Sequence, residues 1–207
     1  MVYNPLVIHP DTELRFISPE VGYGIVATRR IPKGTITWAL CAFDRVLTPQ
    51  EARALPPAYR PILAKYAYID ARGRFILCWD SARYMNHSCE ANSLGVGTEL
   101  EIAARDILPG EQVTGEYGTL NLPYDLDCRC GAKSCRGKIR QTDMTTLGPR
   151  WDAVVREALP FAAKVAQPLR EYLRDPADFD AMLAVDKPVP PHAQYHCADR
   201  APLEALQ

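Results

Sequence analysis

The chain has 207 residues, 47% hydrophobic, 24% charged and 9% aromatic, which is enough apolar material for a packed domain and excludes a wholly disordered chain. Lys plus Arg is 24 against 25 for Asp plus Glu, so a net charge of -1 supplies no field for nucleic acid or an anionic membrane, and sequence-specific nucleic-acid binding is not expected. No apolar run reaches the roughly 18 residues of a bilayer span, and the N-terminal MVYNPLVIHPDTE has no basic stretch leading into a long apolar one, so an intracellular chain with no membrane partner is expected.

From residue 12 to 118 short β-like runs alternate with Pro, Gly and Asp punctuation. Strands are expected at Leu14–Ile17, Gly24–Thr28, Thr35–Leu40, Arg74–Leu77, Leu100–Ala104 and Gln112–Thr114. Two similar stretches, Ile31-Pro32-Lys33-Gly34 and Leu108-Pro109-Gly110-Glu111, read as ordinary Pro-Gly turns rather than as a repeat. Thr48-Pro49-Gln50-Glu51 carries an N-cap, a proline at the first helical position and a glutamate at the third, which predicts a capped helix ending before Pro56-Pro57. After residue 140 the period changes. Trp151, Val154, Val155, Ala158 and Leu159 recur at helical spacing, and the pattern predicts helix continuing through Phe161 to Leu173 before it frays near the Pro-rich stretch 188–191. This tail reads as a packing or interaction appendage.

Seven cysteines stand at 41, 78, 89, 128, 130, 135 and 197. Cys128, Cys130 and Cys135 form a C-x-C-x4-C cluster, and an odd count without a secretory leader favours a metal site, zinc first, over a disulfide framework. Three thiolates leave a closed zinc site one ligand short. His192, His196 and Cys197 offer a second, weaker metal-like grouping inside a Pro-rich setting, while Cys41, Cys78 and Cys197 are expected to stay outside the main cluster.

Four segments recur in a fixed order: GYGIVATRRIPKG, ARYMNHSCEAN, ARDILPGEQVTGEYG and CRCGAKSCRGKI. Together they resemble the SET-domain family of protein lysine methyltransferases followed by a post-SET zinc motif, over about residues 12 to 140. The resemblance implies a mainly β, α+β fold, a SET-type β-clip of short curved sheets with a pseudoknot. It also implies a SET domain at 12–120 and a post-SET zinc motif at 121–140; the helical C-terminal appendage at 141–207, with its Pro-rich end, is expected from the change of period alone.

Carried over residue by residue, the resemblance implies that Gly22, Tyr23 and Gly24 wrap S-adenosylmethionine, glycine letting the backbone approach the ligand without an intervening Cβ. Asn86 and His87 match the family's Asn-His pair that holds the methionine and adenine parts, with Tyr84 beside them. Tyr117 matches the closing tyrosine, which contacts the cofactor and carries the central catalytic role. The resemblance supplies Cys89 as the fourth zinc ligand beside Cys128, Cys130 and Cys135. The implied partner is a protein with an exposed lysine, a histone or another basic protein.

Two departures stand out. The strand after the first turn reads Ile36-Thr37-Trp38-Ala39-Leu40-Cys41-Ala42-Phe43 in place of the family's tyrosine and Gly-Glu, with Trp38 or Phe43 as a substitute apolar wall. Gly115 stands two residues before Tyr117 where many relatives carry a ring, and the missing ring implies room for higher methylation states. The alternative function is a catalytically inactive, zinc-stabilised binding module. The tail from about 150 onward is expected to be dispensable for cofactor binding.

Overall fold

A computed structural model describes residues 7–198. The strands are β1 (Thr12–Ser18), β2 (Gly22–Ala27), β3 (Ile36–Ala39), β4 (Arg45–Leu47), β5 (Ala67–Ile69), β6 (Phe75–Leu77), β7 (Asn86–His87), β8 (Ser93–Gly95), β9 (Leu100–Ala103), β10 (Gln112–Gly115), β11 (Leu126–Asp127) and β12 (Lys138–Ile139). The helices are α1 (Pro49–Ala54), α2 (Arg60–Tyr66), α3 (Asp143–Thr146), α4 (Gly148–Ala162) and α5 (Pro176–Leu183). The architecture is strand-rich, made of small sheets in the orders β1-β2-β10-β7, β3-β9-β8, β4-β6-β5 and β11-β12.

All six expected strands form, within a residue or two of their expected ends. The two similar turns face each other, because Ile31 and Ile107 exchange backbone hydrogen bonds at 2.9 Å. Thr48 caps α1 as expected, its Oγ1 accepting from the Glu51 amide at 3.2 Å while Glu51 Oε2 accepts from the Thr48 amide at 2.7 Å.

One pairing organises the rest. β10 lies antiparallel to β2 and parallel to β7, with Thr114 opposite Asn86 and Gly115 opposite His87. Parallel neighbours need a long crossover, and here it is the whole stretch from 88 to 111. Asn92, buried inside that crossover, accepts from the Thr114 amide at 2.9 Å and donates to the Gln112 carbonyl at 2.8 Å.

The residues after 147 cover the β3–β9–β8 sheet. Trp151, Val155, Ala158, Leu159 and Ala162 recur on one face of α4 and are buried. Most of them join Ile36, Leu94, Leu100 and Ile102 with Leu169, Phe179 and Met182 in one apolar cluster. Gly34 makes the approach possible, since a Cβ there would lie 2.6 Å from the Ala162 nitrogen. Helix does not run on from Phe161 to Leu173 as the period predicts. α4 stops at Ala162, two residues after Pro160, and Gln167 takes over: its Nε2 donates to the Ala162 and Gly34 carbonyls at 3.0 Å, and its Oε1 accepts from the Ile36 amide at 2.8 Å. Pro168 then disfavours helical backbone at Gln167. The stretch 188–191 leads into a short 3-10 turn, His192–Tyr195, whose His192 is buried beside α4.

Candidate functional site

The β7–β10 pairing sets Asn86, His87 and Tyr117 beside the Gly22–Gly24 segment. Asn86 Nδ2 donates to the Tyr23 carbonyl at 3.1 Å and to Gln112 Oε1 at 3.0 Å. Gly24 has to lack a side chain, because a Cβ there would sit 2.6 Å from both Asn86 Nδ2 and Gln112 Oε1. His87 Nδ1 accepts the Tyr117 amide hydrogen at 3.2 Å, and this bond assigns the ring proton to Nε2, which faces Cys89 Sγ at 3.4 Å. Burial holds His87 below the usual imidazole range, against the pull of Glu116. The Tyr117 hydroxyl donates to the Met85 carbonyl at 2.9 Å, and burial, with Glu101 nearby, pushes its phenol up to about 12. It is therefore a neutral hydrogen-bonding group at any physiological pH. Tyr84 packs edge-on between Tyr23 and Tyr66, at 6.1 and 5.5 Å between ring centres.

All four cysteines of the proposed metal set converge. Cys128 Sγ is 3.7 Å from both Cys89 Sγ and Cys135 Sγ, and Cys130 Sγ accepts from the Cys89 amide at 3.4 Å. Ligand atoms of His87, Cys89, Cys128 and Cys130 lie within 4.8 Å of one another. Thiolates bound at about 2.3 Å in a tetrahedron stand about 3.8 Å apart, so the sulfur spacing suits a zinc ion. Burial raises the Cys128 and Cys89 thiols, whereas, against burial, hydrogen bonds from the Cys89 and Ala132 amides and from the neighbouring thiols lower Cys130 to about 7. His192 does not join a comparable grouping with His196 and Cys197. Its Nδ1 pairs with Asp152 Oδ1 at 2.6 Å, and the one metal-like set among the described residues is that around Cys89.

Sequence reasoning missed Arg136, which ties this cluster to the crossing. Its guanidinium reaches Glu116 at 2.6 and 3.0 Å, Asp143 at 3.0 Å and Cys89 Sγ at 3.2 Å. Glu116 is buried, so the pair is a fixed joint rather than a surface contact.

A cavity of about 250 Å³ has Tyr117 in its wall, and Gly22–Gly24, Asn86 and His87 are not among its lining residues. Trp38, Tyr68, Met85, Leu100 and Leu120 are among its walls. Trp38 therefore supplies the expected apolar wall and Phe43 does not: Phe43 is 78% exposed and packs on Trp79. The space at Gly115 is also smaller than the missing ring implies, since a Cβ there would meet Met85 Sδ at 3.3 Å and the Glu101 carboxylate at 3.6 and 3.8 Å. Glu101 is the second residue that sequence reasoning missed. Its signal was present, an acid inside the otherwise apolar run Leu100-Glu101-Ile102-Ala103.

Residues 22–118 match the family model described as SET domain. The chain is 31% identical over 137 residues to the Drosophila melanogaster histone-lysine N-methyltransferase Set2, covering 60% of this chain and 6% of that protein. It is 37% identical over 67 residues to the Arabidopsis thaliana histone-lysine N-methyltransferase ASHH3, covering 29% of this chain and 18% of that protein. The matched segments make up about a quarter or less of these curated relatives. Among solved structures, the methyltransferase domain of human SETMAR superposes with a TM-score of 0.46 at 22% identity, over 65% of this chain and 58% of that one. Among the described residues no helix is long and apolar enough to cross a membrane.

Proposed function

We propose, since residues 22–118 are a SET domain, that the chain transfers a methyl group from S-adenosylmethionine to the side-chain amine of a lysine in a protein, a histone or another basic protein. The observation that carries this reading is the convergence of the Gly22–Gly24 segment, Asn86, His87 and Tyr117 across β2, β10 and β7.

The residues present fit the methyl donor. Asn86 fixes the Tyr23 carbonyl, nothing lies within 4 Å of a Cβ built on Gly22, and Tyr23 is half-exposed beside Tyr84. Gly22, Tyr23, Gly24, Asn86, His87 and Tyr117 would hold the donor, which supplies a methyl group already activated on a cationic sulfur. The chain's own task is then positioning. Tyr117, neutral and anchored to the Met85 carbonyl, presents its phenol at the cavity's edge to orient an amine entering from the opposite side. The aromatic and aliphatic walls exclude water and disfavour the charged ammonium.

Cys89, Cys128, Cys130 and Cys135 would hold a structural zinc ion. The tautomer of His87, with its proton on Nε2, makes it a donor to the Cys89 sulfur and favours Cys135 over His87 as the fourth ligand.

The test is transfer of a labelled methyl group from S-adenosylmethionine to core histones and cell-extract proteins by the wild type and Tyr117→Phe. Label on lysine that falls roughly 100-fold in the variant is the expected result. Binding of the methyl donor with no label on any protein favours the binding module instead.

A further inference from the structure

The cavity beside Tyr117 is walled mainly by apolar and aromatic side chains, yet a carboxylate reaches into it. Glu101 leaves β9 toward the space above Gly115, where its oxygens lie 3.6 and 3.8 Å from the position a Cβ would take. Glu101 is partly buried and is one of the residues that line the cavity. The carboxylate is held by design of the sheet. Ser93 Oγ on β8 donates to Glu101 Oε2 at 2.5 Å, and Thr37 Oγ1 on β3 lies 2.6 Å from Ser93 Oγ. Among the described residues no such donor reaches Oε1. Among the described residues no cation forms an ion pair with Glu101: Lys65 lies over the Tyr66 ring at 5.1 Å, Arg83 donates to the Asp80 and Trp79 carbonyls, and Arg136 is taken by Glu116 and Asp143. A half-satisfied carboxylate facing a mainly apolar hole is expensive unless something cationic visits it.

We propose that Glu101 receives the ammonium of the incoming lysine, first accepting its hydrogen bond and then taking its proton. The inference rests on the methyltransferase reading and adds to it the group that discharges the substrate. The step balances within the site. An N–H bond of the ammonium breaks, an O–H bond forms on Glu101, and the electron pair stays on nitrogen, leaving a neutral amine able to accept the methyl group. The proton later passes from Glu101 to water when the cavity empties.

Burial supports this exchange by raising the Glu101 carboxyl above its ordinary range, with Ser93 opposing the rise. That brings it nearer to an amine whose unperturbed pKa is about 10.4. The other titratable groups that sense Glu101 are Tyr68, Cys78 and Tyr117, all pushed up by burial and so neutral across the working range. Lys65, Tyr66, Arg83, Glu116 and Tyr124 complete the ionisable lining. Gly115 acquires a purpose as well, since a ring at that position would compete with the carboxylate for the same space.

Two measurements test the assignment on the full chain. In the first, the pH profile of methyl transfer is compared for wild type, Glu101→Gln and Ser93→Ala. Glu101→Gln should be slower by roughly 100-fold at pH 7, and the deficit should shrink towards pH 10 as solution supplies free amine. Ser93→Ala keeps the carboxylate but loses the donor that favours its charged form, so its acid limb should move to higher pH. In the second, n-butylammonium and n-butanol are titrated against the wild type and Glu101→Gln without the methyl donor, following the backbone amides of Gly115 and Tyr117 by NMR. The wild type should prefer the ammonium by at least about tenfold, and Glu101→Gln should lose that preference. An active wild type with an unchanged Glu101→Gln pH profile overturns the role of Glu101 and leaves the methyltransferase reading standing. Glu101-dependent butylammonium binding without transfer to any protein overturns the methyltransferase reading and leaves the ammonium site standing.

Discussion

The crossing of β7 and β10 and the covered face of the β3–β9–β8 sheet are held together by opposite means. At the crossing, strands of two and four residues are fixed by polar groups: Asn86 to Tyr23 and Gln112, Asn92 across β10, and Arg136 joining Glu116, Asp143 and Cys89. Under the sheet, α4 and α5 contribute Val155, Leu159, Phe179 and Met182 to an apolar cluster, with Gln167 adding its bonds to Gly34, Ile36 and Ala162. Polar joints fix geometry closely and add little net stability, whereas apolar burial adds stability with less directional control. The division suits the proposed chemistry, with positioning done by the first region and folding free energy drawn from the second.

The sharpest way to break that comparison is to remove the metal set. Cys128→Ser, or a zinc chelator, should release 126–139 and lower methyl transfer by at least about tenfold, while far-ultraviolet circular dichroism over the rest of the chain changes little. Metal content by elemental analysis and transfer of label check it together. Loss of the whole fold would mean that the crossing also carries the stability. Next in size is Phe179→Ala, which empties a buried ring site in the apolar cluster and should cost about 3–5 kcal/mol in denaturant unfolding. Its metal content should match the wild type. Gln167→Ala is smaller, roughly 1–3 kcal/mol, because it leaves the Ile36 amide and the Gly34 and Ala162 carbonyls short of a partner. Hydrogen exchange at Ile36 should report that loss locally.

How far each region was legible follows from the same division. The crossing announces itself because its chemistry is local in sequence: NHSC, GEY and CRCGAKSC each place several unusual residues within a few positions. What those strings omit is the partner far away. Arg136 reads as one more basic residue in a basic stretch until Glu116, 20 positions earlier, is folded against it. Glu101 likewise needs the cavity before it means anything. On the sheet face the period of α4 was readable from Trp151 to Leu159, but its end was not. The helical pattern runs past Ala162 because Leu169 and Leu173 stay buried through a different backbone path. The sequence reads the tail as a packing or interaction appendage, and the partners it packs on are distant in sequence: Gln167 bonds to the Ile36 amide, and Asn121 donates to the Tyr195 carbonyl and accepts from the Cys197 amide.

The smallest expected effect tests whether the two regions are independent of their surroundings. α1 belongs to neither, and it buries Ala52 in a third cluster with Leu47, Leu63 and Phe75. Its N-terminus is closed by Thr48 and Glu51 in reciprocal hydrogen bonds, so Thr48→Ala removes one acceptor for an orphan amide and loosens Glu51. The cost should be about 1 kcal/mol in urea unfolding. Because α1 supplies no wall to the cavity and no residue to the cluster around Cys89, metal content and the rate of methyl transfer should equal those of the wild type at temperatures well below the transition. A drop in transfer out of proportion to the lost stability would show that the cavity senses strain from the β4–β6–β5 sheet, through Tyr68 on β5. The β4–β6–β5 sheet would then join the polar crossing and Glu101 in positioning the reacting groups.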